Sequence, residues 1–136
     1  MAKNKLKKYV EAVGRRKTAV ARVRLYKGKG ELLVNNLPAQ VYFGASAMAK
    51  AAYEQPFKLT NSLGKFDLTA ILKGSGKNSQ VEALAHGISR ALDKENDKFH
   101  SILKKAGLLT RDPRERERRK PGQGGRARKQ KQSPKR

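Results

Sequence analysis

The sequence predicts an α+β domain, a mostly antiparallel sheet covered by helices, followed by an extended basic tail. Three observations predict it. Apolar residues alternate with polar ones in two separate stretches, the period of a half-buried strand. Between Asn78 and Ala106 the apolar spacing changes to that of helices with one buried stripe. From Arg111 onward the periodicity disappears and Lys and Arg accumulate.

Tyr9 to Tyr26 reads as strand. In its second half Ala19, Ala21, Val23 and Leu25 alternate with Thr18, Arg22 and Arg24, so one face packs inward and the other carries guanidinium groups outward. Gly14-Arg15-Arg16-Lys17 interrupts the pattern and predicts a turn or bulge with cations at its tip. Lys27-Gly28-Lys29-Gly30 is a turn signal, followed by a short strand from Glu31 to Asn35. Asn36-Leu37-Pro38 predicts a helix start, with short helical pieces over Gln40–Phe43 and Ser46–Tyr53 that stop at Pro56. Phe66 to Lys73 is a further strand, with Phe66, Leu68, Ala70 and Leu72 on one face. The longest helix is predicted from about Asn78 to Asn96, burying Val81, Leu84, Ala85, Ile88 and Leu92. A second helix takes Asp97 as its N-cap, buries Phe99, Ile102, Leu103 and Ala106, and ends at Gly107. The chain therefore divides into a basic N-terminal extension (1–8), a globular domain (9–110) and an extended tail (111–136).

Charge sits at the two ends. Residues 1–29 carry a net +10 and residues 111–136 a net +9, while the 81 residues between them carry only +3 of the overall +22. From Arg118 onward there are nine basic side chains and no acidic one; the only apolar residues are Ala127 and two prolines. Such a segment cannot bury enough surface to fold alone, and a net charge this high calls for a polyanionic partner. A membrane-surface segment would need a basic helix with a large apolar face, which the Gly-, Pro- and Gln-rich tail lacks. Nucleic acid is the partner that remains. No run approaches the roughly 20 apolar residues of a membrane span, and the N-terminus lacks the apolar stretch of a signal peptide. The absence of cysteine excludes disulfides, thiolate metal sites and thiol catalysis, and fits the cytosol.

Arg15, Arg16, Lys17, Arg22 and Arg24 form the densest cationic group, with no acid between Glu11 and Glu31, and point to phosphate-backbone contact. Gly74-Ser75-Gly76-Lys77-Asn78-Ser79 departs from the phosphate-loop pattern, because Ile71 stands where the first Gly belongs and Asn78 follows the Lys. Two readings stay open: Lys77 and the helix N-terminus hold one RNA phosphate, or the loop is a turn into the helix. His86 and Arg90 lie one turn apart on the face opposite the apolar stripe; they suit phosphate or sugar contact, or a solvated face. A lone His without a nearby carboxylate or nucleophile is no catalytic constellation, so no enzyme, cofactor or metal is expected. In the tail, Arg111 and the run Arg118, Arg119, Lys120 precede Arg126, Arg128, Lys129 and Lys131, whose Gly and Gln neighbours let a cationic strand enter a narrow RNA crevice. An architectural DNA-binding protein and an RNA-modifying enzyme are the rival readings.

With these residues in view, the chain resembles the bacterial family of ribosomal protein nine of the small subunit. The matching segments are Gly14-Arg15-Arg16-Lys17 with Ala21-Arg22-Val23, Tyr42-Phe43, Gly74 and Gly76 with Gln80, and His86-Gly87-Ile88 with Arg90-Ala91-Leu92. Leu109-Thr110-Arg111-Asp112, Arg118-Arg119-Lys120-Pro121-Gly122, Arg126-Ala127-Arg128-Lys129 and Lys135-Arg136 complete the series. The resemblance implies a two-layer fold with a left-handed βαβ crossover and a place in the head of the small subunit of the cytoplasmic ribosome. It also implies three kinds of partner: ribosomal RNA, neighbouring head proteins, and peptidyl-site transfer RNA, which Ser133, Lys135 and Arg136 approach. Ser75 splits a glycine run that the family has unbroken, Ala85 replaces the arginine before the His, and Gln132-Ser133-Pro134 stands where the family often has an aromatic before its terminal residues.

Overall fold

The computed structural model describes residues 8–115. The expected N-terminal extension up to residue 7, and the tail from residue 116, lie outside the described residues. β1 (Tyr9–Arg16) and β2 (Ala19–Lys27) form an antiparallel hairpin. β3 (Leu32–Val34), β4 (Leu37–Pro38), α1 (Ala39–Tyr42) and α2 (Ala47–Leu59) follow, then β5 (Phe66–Lys73), α3 (Lys77–Glu95) and α4 (Lys98–Lys105). The five strands form one mixed sheet in the order β1-β2-β5-β3-β4. Its single parallel pairing joins β3 to β5, so the chain between them, α1 and α2, makes a βαβ crossover.

Ala19, Ala21, Val23 and Leu25 of β2 and Leu68, Ala70 and Leu72 of β5 are buried against the helices, as the alternation predicts. The other sheet face is open: Val20, Ile71 and Tyr9 are exposed on it. α3 covers the inner face, and α2 and α4 pack on α3, giving two layers. Ile88, Ala91 and Leu92 of α3 join Leu103 of α4 in one core cluster with the strands. Phe43 stacks on Tyr53 at 5.8 Å and ties α1 to α2 within it.

Four local expectations are corrected. β1 runs straight through Gly14 to Arg16, and the turn is the two residues Lys17 and Thr18, with Lys17 at φ 52°. Asn36-Leu37-Pro38 does not begin a helix. Asn35 and Asn36, at φ 49° and 66°, are the two-residue loop of a β3–β4 hairpin, a left-handed conformation that Asn tolerates. The Asn35 side chain also donates to the Leu72 carbonyl and accepts from the Leu72 amide, lengthening the ladder by one step. Pro56 does not stop α2, which continues to Leu59; its ring and Phe57 are buried, and that packing outweighs the amide hydrogen bond a proline lacks. Finally, Asp97 is the N-cap of α4 as expected, but the side chain that accepts from the Lys98 amide is that of Asn96, and Ile102 and Ala106 face outward.

Gly14 explains why the strand could not be a turn. A Cβ there would lie 1.9 Å from the Ala83 carbonyl oxygen and 2.3 Å from the Gly87 amide. On the opposing side, a Cβ on Gly87 would lie 2.7 Å from a Val23 methyl and 3.1 Å from the Gly14 nitrogen. Strand and helix backbones therefore touch. Gly14→Ala meets backbone that cannot move alone and should cost roughly 3 kcal/mol, the upper end of ordinary overpacking. Gly87→Ala meets a side-chain methyl at a longer distance and should cost about 1–2 kcal/mol. Urea unfolding of both variants measures the order; equal costs would refute the backbone contact as the tighter constraint.

Candidate nucleic-acid interface

β1 is an edge strand, paired on one side only. Such an edge leaves every second residue's N–H and C=O without a ladder partner. α3 supplies the partners from one stripe of side chains. His86 Nδ1 accepts from the Arg15 amide at 3.3 Å. The Arg90 guanidinium donates to the Val13 carbonyl, and Lys94 Nζ donates to the Glu11 carbonyl at 2.9 Å. The match is geometric. Four residues of helix rise about 6 Å and two residues of strand about 6.6 Å, so steps of four along α3 meet steps of two along an antiparallel β1. His86 and Arg90 thus face the sheet edge, a correction to their placement opposite the buried stripe. Lys94 escaped the sequence reading, although the spacing 86, 90, 94 was visible in it.

Burial holds the His86 pKa below the usual 6.5; the neighbouring Leu109 backbone acts the other way, and nearby Arg90 and Arg111 add to the lowering. The imidazole thus sits where β1, α3 and the segment after α4 meet.

One helical turn earlier on the same stripe, Glu82 lies 2.6 Å from Arg16 Nε. The Arg16 guanidinium also pairs with Asp112. Asp112 in turn holds Arg114 through both carboxylate oxygens, at 2.8 to 3.1 Å, and accepts from the Arg114 amide. The Arg114 bonds hold the Asp112 carboxyl far below the usual carboxylate range. The Arg111 guanidinium donates to the Asp112 carbonyl. The hairpin end and residues 109–114, about a hundred positions apart in sequence, are therefore one surface. Arg15 and Lys17 are exposed on it, whereas Arg16 is largely buried in its ion pairs.

On the open sheet face Arg22 and Arg24 point outward as predicted, with side chains 54% and 39% exposed. The expected freedom of this face from acid is corrected. Glu11 is the register partner of Arg24 on the neighbouring strand and forms an ion pair with Arg22. The Arg22 hydrogen bond, the largest cause, lowers the Glu11 pKa. Arg24 also stands 4.9 Å over the Tyr9 ring. The acid was hidden because it precedes both arginines by more than ten residues and reaches them only through strand pairing. An open concavity beside these arginines is lined by Leu33, Asn35, Thr69 and Ile71.

The loop before α3 has Gly74 and Ser75 at φ 82° and 53°. A Cβ on Gly74 would lie 2.3 Å from the Thr18 carbonyl oxygen, so the loop rests on the hairpin turn. Lys77 Nζ donates to the Tyr42 carbonyl at 2.8 Å, and Gln80 bridges the Tyr42 hydroxyl and the Gly74 carbonyl. Lys77 is thereby held to α1. Arg118, Arg119, Lys120, Arg126, Arg128, Lys129, Lys131, Ser133, Lys135 and Arg136 lie outside the described residues.

Fold and charge together define a class: small basic α+β proteins whose surface chemistry is guanidinium and ammonium groups set on a rigid sheet-and-helix frame. The sequence comparisons narrow it. The sequence model of the family described as ribosomal protein S9/S16 matches residues 14–136. The small ribosomal subunit protein uS9 of Maridesulfovibrio salexigens is 51% identical over 114 residues, 84% of this chain and 87% of that protein. Its namesake in Desulfotalea psychrophila is 49% identical over the same shares. That of Rickettsia conorii is 47% identical over 82% of this chain and 70% of its own length. The chain belongs to the ribosomal protein S9/S16 family, whose members are structural and not enzymatic.

The His86 arrangement sets a pH dependence. A depressed folded-state pKa means that the unfolded chain binds the extra proton first as pH falls. The stability His86 contributes is full above pH 6.5 and is lost as pH drops below it. Denaturant unfolding between pH 7.5 and 5 should show a decline in the native protein that is smaller in His86→Gln, whose amide can still accept and donate. Identical pH profiles would contradict the neutral, half-buried imidazole that accepts from β1.

Proposed function

We propose that this chain is a structural component of the small subunit of the cytoplasmic ribosome, binding ribosomal RNA of the subunit head and meeting peptidyl-site transfer RNA with its C-terminal residues. Neighbouring head proteins are its other partners. The observation that carries the reading is the convergence of the hairpin end with the root of the tail. The Asp112 ion pair with Arg16 brings Arg111 and Arg114 to the hairpin end whose strand also carries Arg15 and whose turn carries Lys17. This gathers two cationic segments at the point beyond which the sequence holds ten further cations. Phosphate contacts of this kind fix position and register and read no base sequence. Arg22 and Arg24 add a second contact area on the open sheet face. Lys77, His86 and Arg90 support it from within, since their polar atoms are engaged by Tyr42 and β1. The crossover from β3 through α1 and α2 to β5 is taken as left-handed, in keeping with the family, and residues 111–136 as one extended arm; density for the assembled subunit tests both.

Removing residues 118–136 should weaken binding to head RNA and flatten its salt dependence. If roughly six of the nine cations neutralise phosphates, the slope of log affinity against log salt should fall by about 4 to 5. An unchanged slope would mean that the tail does not touch RNA backbone.

Removing only Lys135 and Arg136 should leave assembly intact and weaken peptidyl-site transfer RNA by a few-fold, since an exposed charge contact contributes up to about 1 kcal/mol. The effect should be alike for different transfer RNAs, because backbone contacts carry no sequence information. Filter binding to reconstituted subunits at fixed magnesium and salt measures it. Equal affinity would refute the contact, and loss of the protein from the subunit would refute the separation of anchoring from transfer RNA contact.

A further inference from the structure

We propose that Arg16 is a positioning residue whose ion pairs with Glu82 and Asp112 clamp the root of the C-terminal tail to the β1–β2 hairpin, so that the tail departs from a fixed point and in a fixed direction. The inference rests on the reading that the tail binds RNA, and it assigns to Arg16 a role other than phosphate contact.

The geometry separates Arg16 from its neighbours. In β1 the side chains of Ala12 and Arg16 lie on the helix side of the sheet, as does the bare face of Gly14, whereas Val13 and Arg15 take the other. Arg16 therefore turns toward α3, and its side chain is only 14% exposed. There it lies between a carboxylate of α3 and a carboxylate of the segment after α4. Arg114 on the far side of Asp112 completes an alternating row, Glu82, Arg16, Asp112, Arg114, whose formal charges cancel. A guanidinium enclosed by two carboxylates presents little positive potential to an RNA phosphate. One that joins three chain segments defines where those segments lie.

A single attachment would fix a position but not a direction. The segment has two, three residues apart: Leu109, seated against the core, and Asp112, held by Arg16. Leu108 also packs against the core. Without the clamp, the point from which the tail swings retreats from Asp112 to Leu109, which stays packed on the core. The three freed residues widen its reach by roughly 10 Å. A longer tether lowers the effective concentration of the tail at its site without removing any RNA contact.

Asp112→Asn in the full-length chain gives the two roles opposite signs. It removes an acid and raises the net charge by one, so direct electrostatics predicts tighter RNA binding. The clamp predicts weaker binding, by about fivefold, to a fragment of small-subunit head RNA at fixed salt, with the salt slope unchanged. In the free protein, 15N relaxation should show residues 109–114 gaining motion in Asp112→Asn and in Glu82→Gln. In a full-length chain whose Arg126, Arg128, Lys129 and Lys131 are replaced by glutamine, Asp112→Asn should no longer alter affinity, since there is little left to aim. Equal or tighter binding in the full-length variant, unchanged relaxation of residues 109–114, or a loss that persists with the glutamine tail would each overturn the proposal. If the four glutamines leave the salt slope untouched, it is the tail's RNA contact that fails, and the relaxation data alone then decide the clamp.

Discussion

The contact between Gly14 and Gly87 governs the rest of the molecule. With no side chain on either residue, α3 can lie on β1 at backbone distance. Only at that distance do His86, Arg90 and Lys94 reach the unpaired groups of the sheet edge. An edge strand left open is a template for pairing with another chain. Here it is closed by side chains of the protein's own helix, and with charged or polar groups, so the closure is wet on its outer side and specific on its inner one. Glu82 extends the same stripe to Arg16 and so to the tail root. One steric permission at two glycines thus positions the long helix, the edge strand and the exit of the chain.

That arrangement sorts the cations into two populations. Arg16, Lys77, Arg90 and Lys94 are engaged by carboxylates or carbonyls within the fold. Arg15 and Lys17 face outward, and Arg22 and Arg24 stand on an open face that a single glutamate partly neutralises. A strongly basic composition leaves the two populations indistinguishable. The difference matters for RNA, because a guanidinium already paired releases no counterion when a phosphate approaches it, and contributes little to a salt-dependent affinity.

A second acidic group organises the opposite end of the sheet. Asp67 on β5 accepts from the amides of Lys29, Gly30 and Glu31, each at 3.0 Å, and so folds the turn between β2 and β3 around one carboxylate oxygen. Gly28 leaves room for it, since a Cβ there would fall 1.9 Å from the carboxylate and push that side chain aside. The turn signal was plain in the Gly-rich sequence; the acid that shapes it comes from a strand 36 to 38 residues away.

The fold class, the β2 and β5 strands and the long helix were legible because hydrophobic period is a local property, and Ala19 to Leu25 or Val81 to Leu92 carry it within one window. The distribution of charge was legible for the same reason, and with it a polyanionic partner. Apart from the Asn35-Asn36 loop and the cap of α4, the misreadings concern residues whose meaning is set by something distant. Gly14 looked like a turn because glycine usually is one, and only the helix lying on it explains its place in a strand. Pro56 stays inside a helix because its ring is buried, which no propensity reveals. Glu11 meets Arg22 through strand register, and Asp112 meets Arg16 only after the whole domain has closed. The sequence by itself determined how many cations this protein carries and which segments hold them. Tertiary structure decided which of those cations are already paired, because ion pairing depends on distances of a few ångströms between groups that packing, and not chain order, brings together.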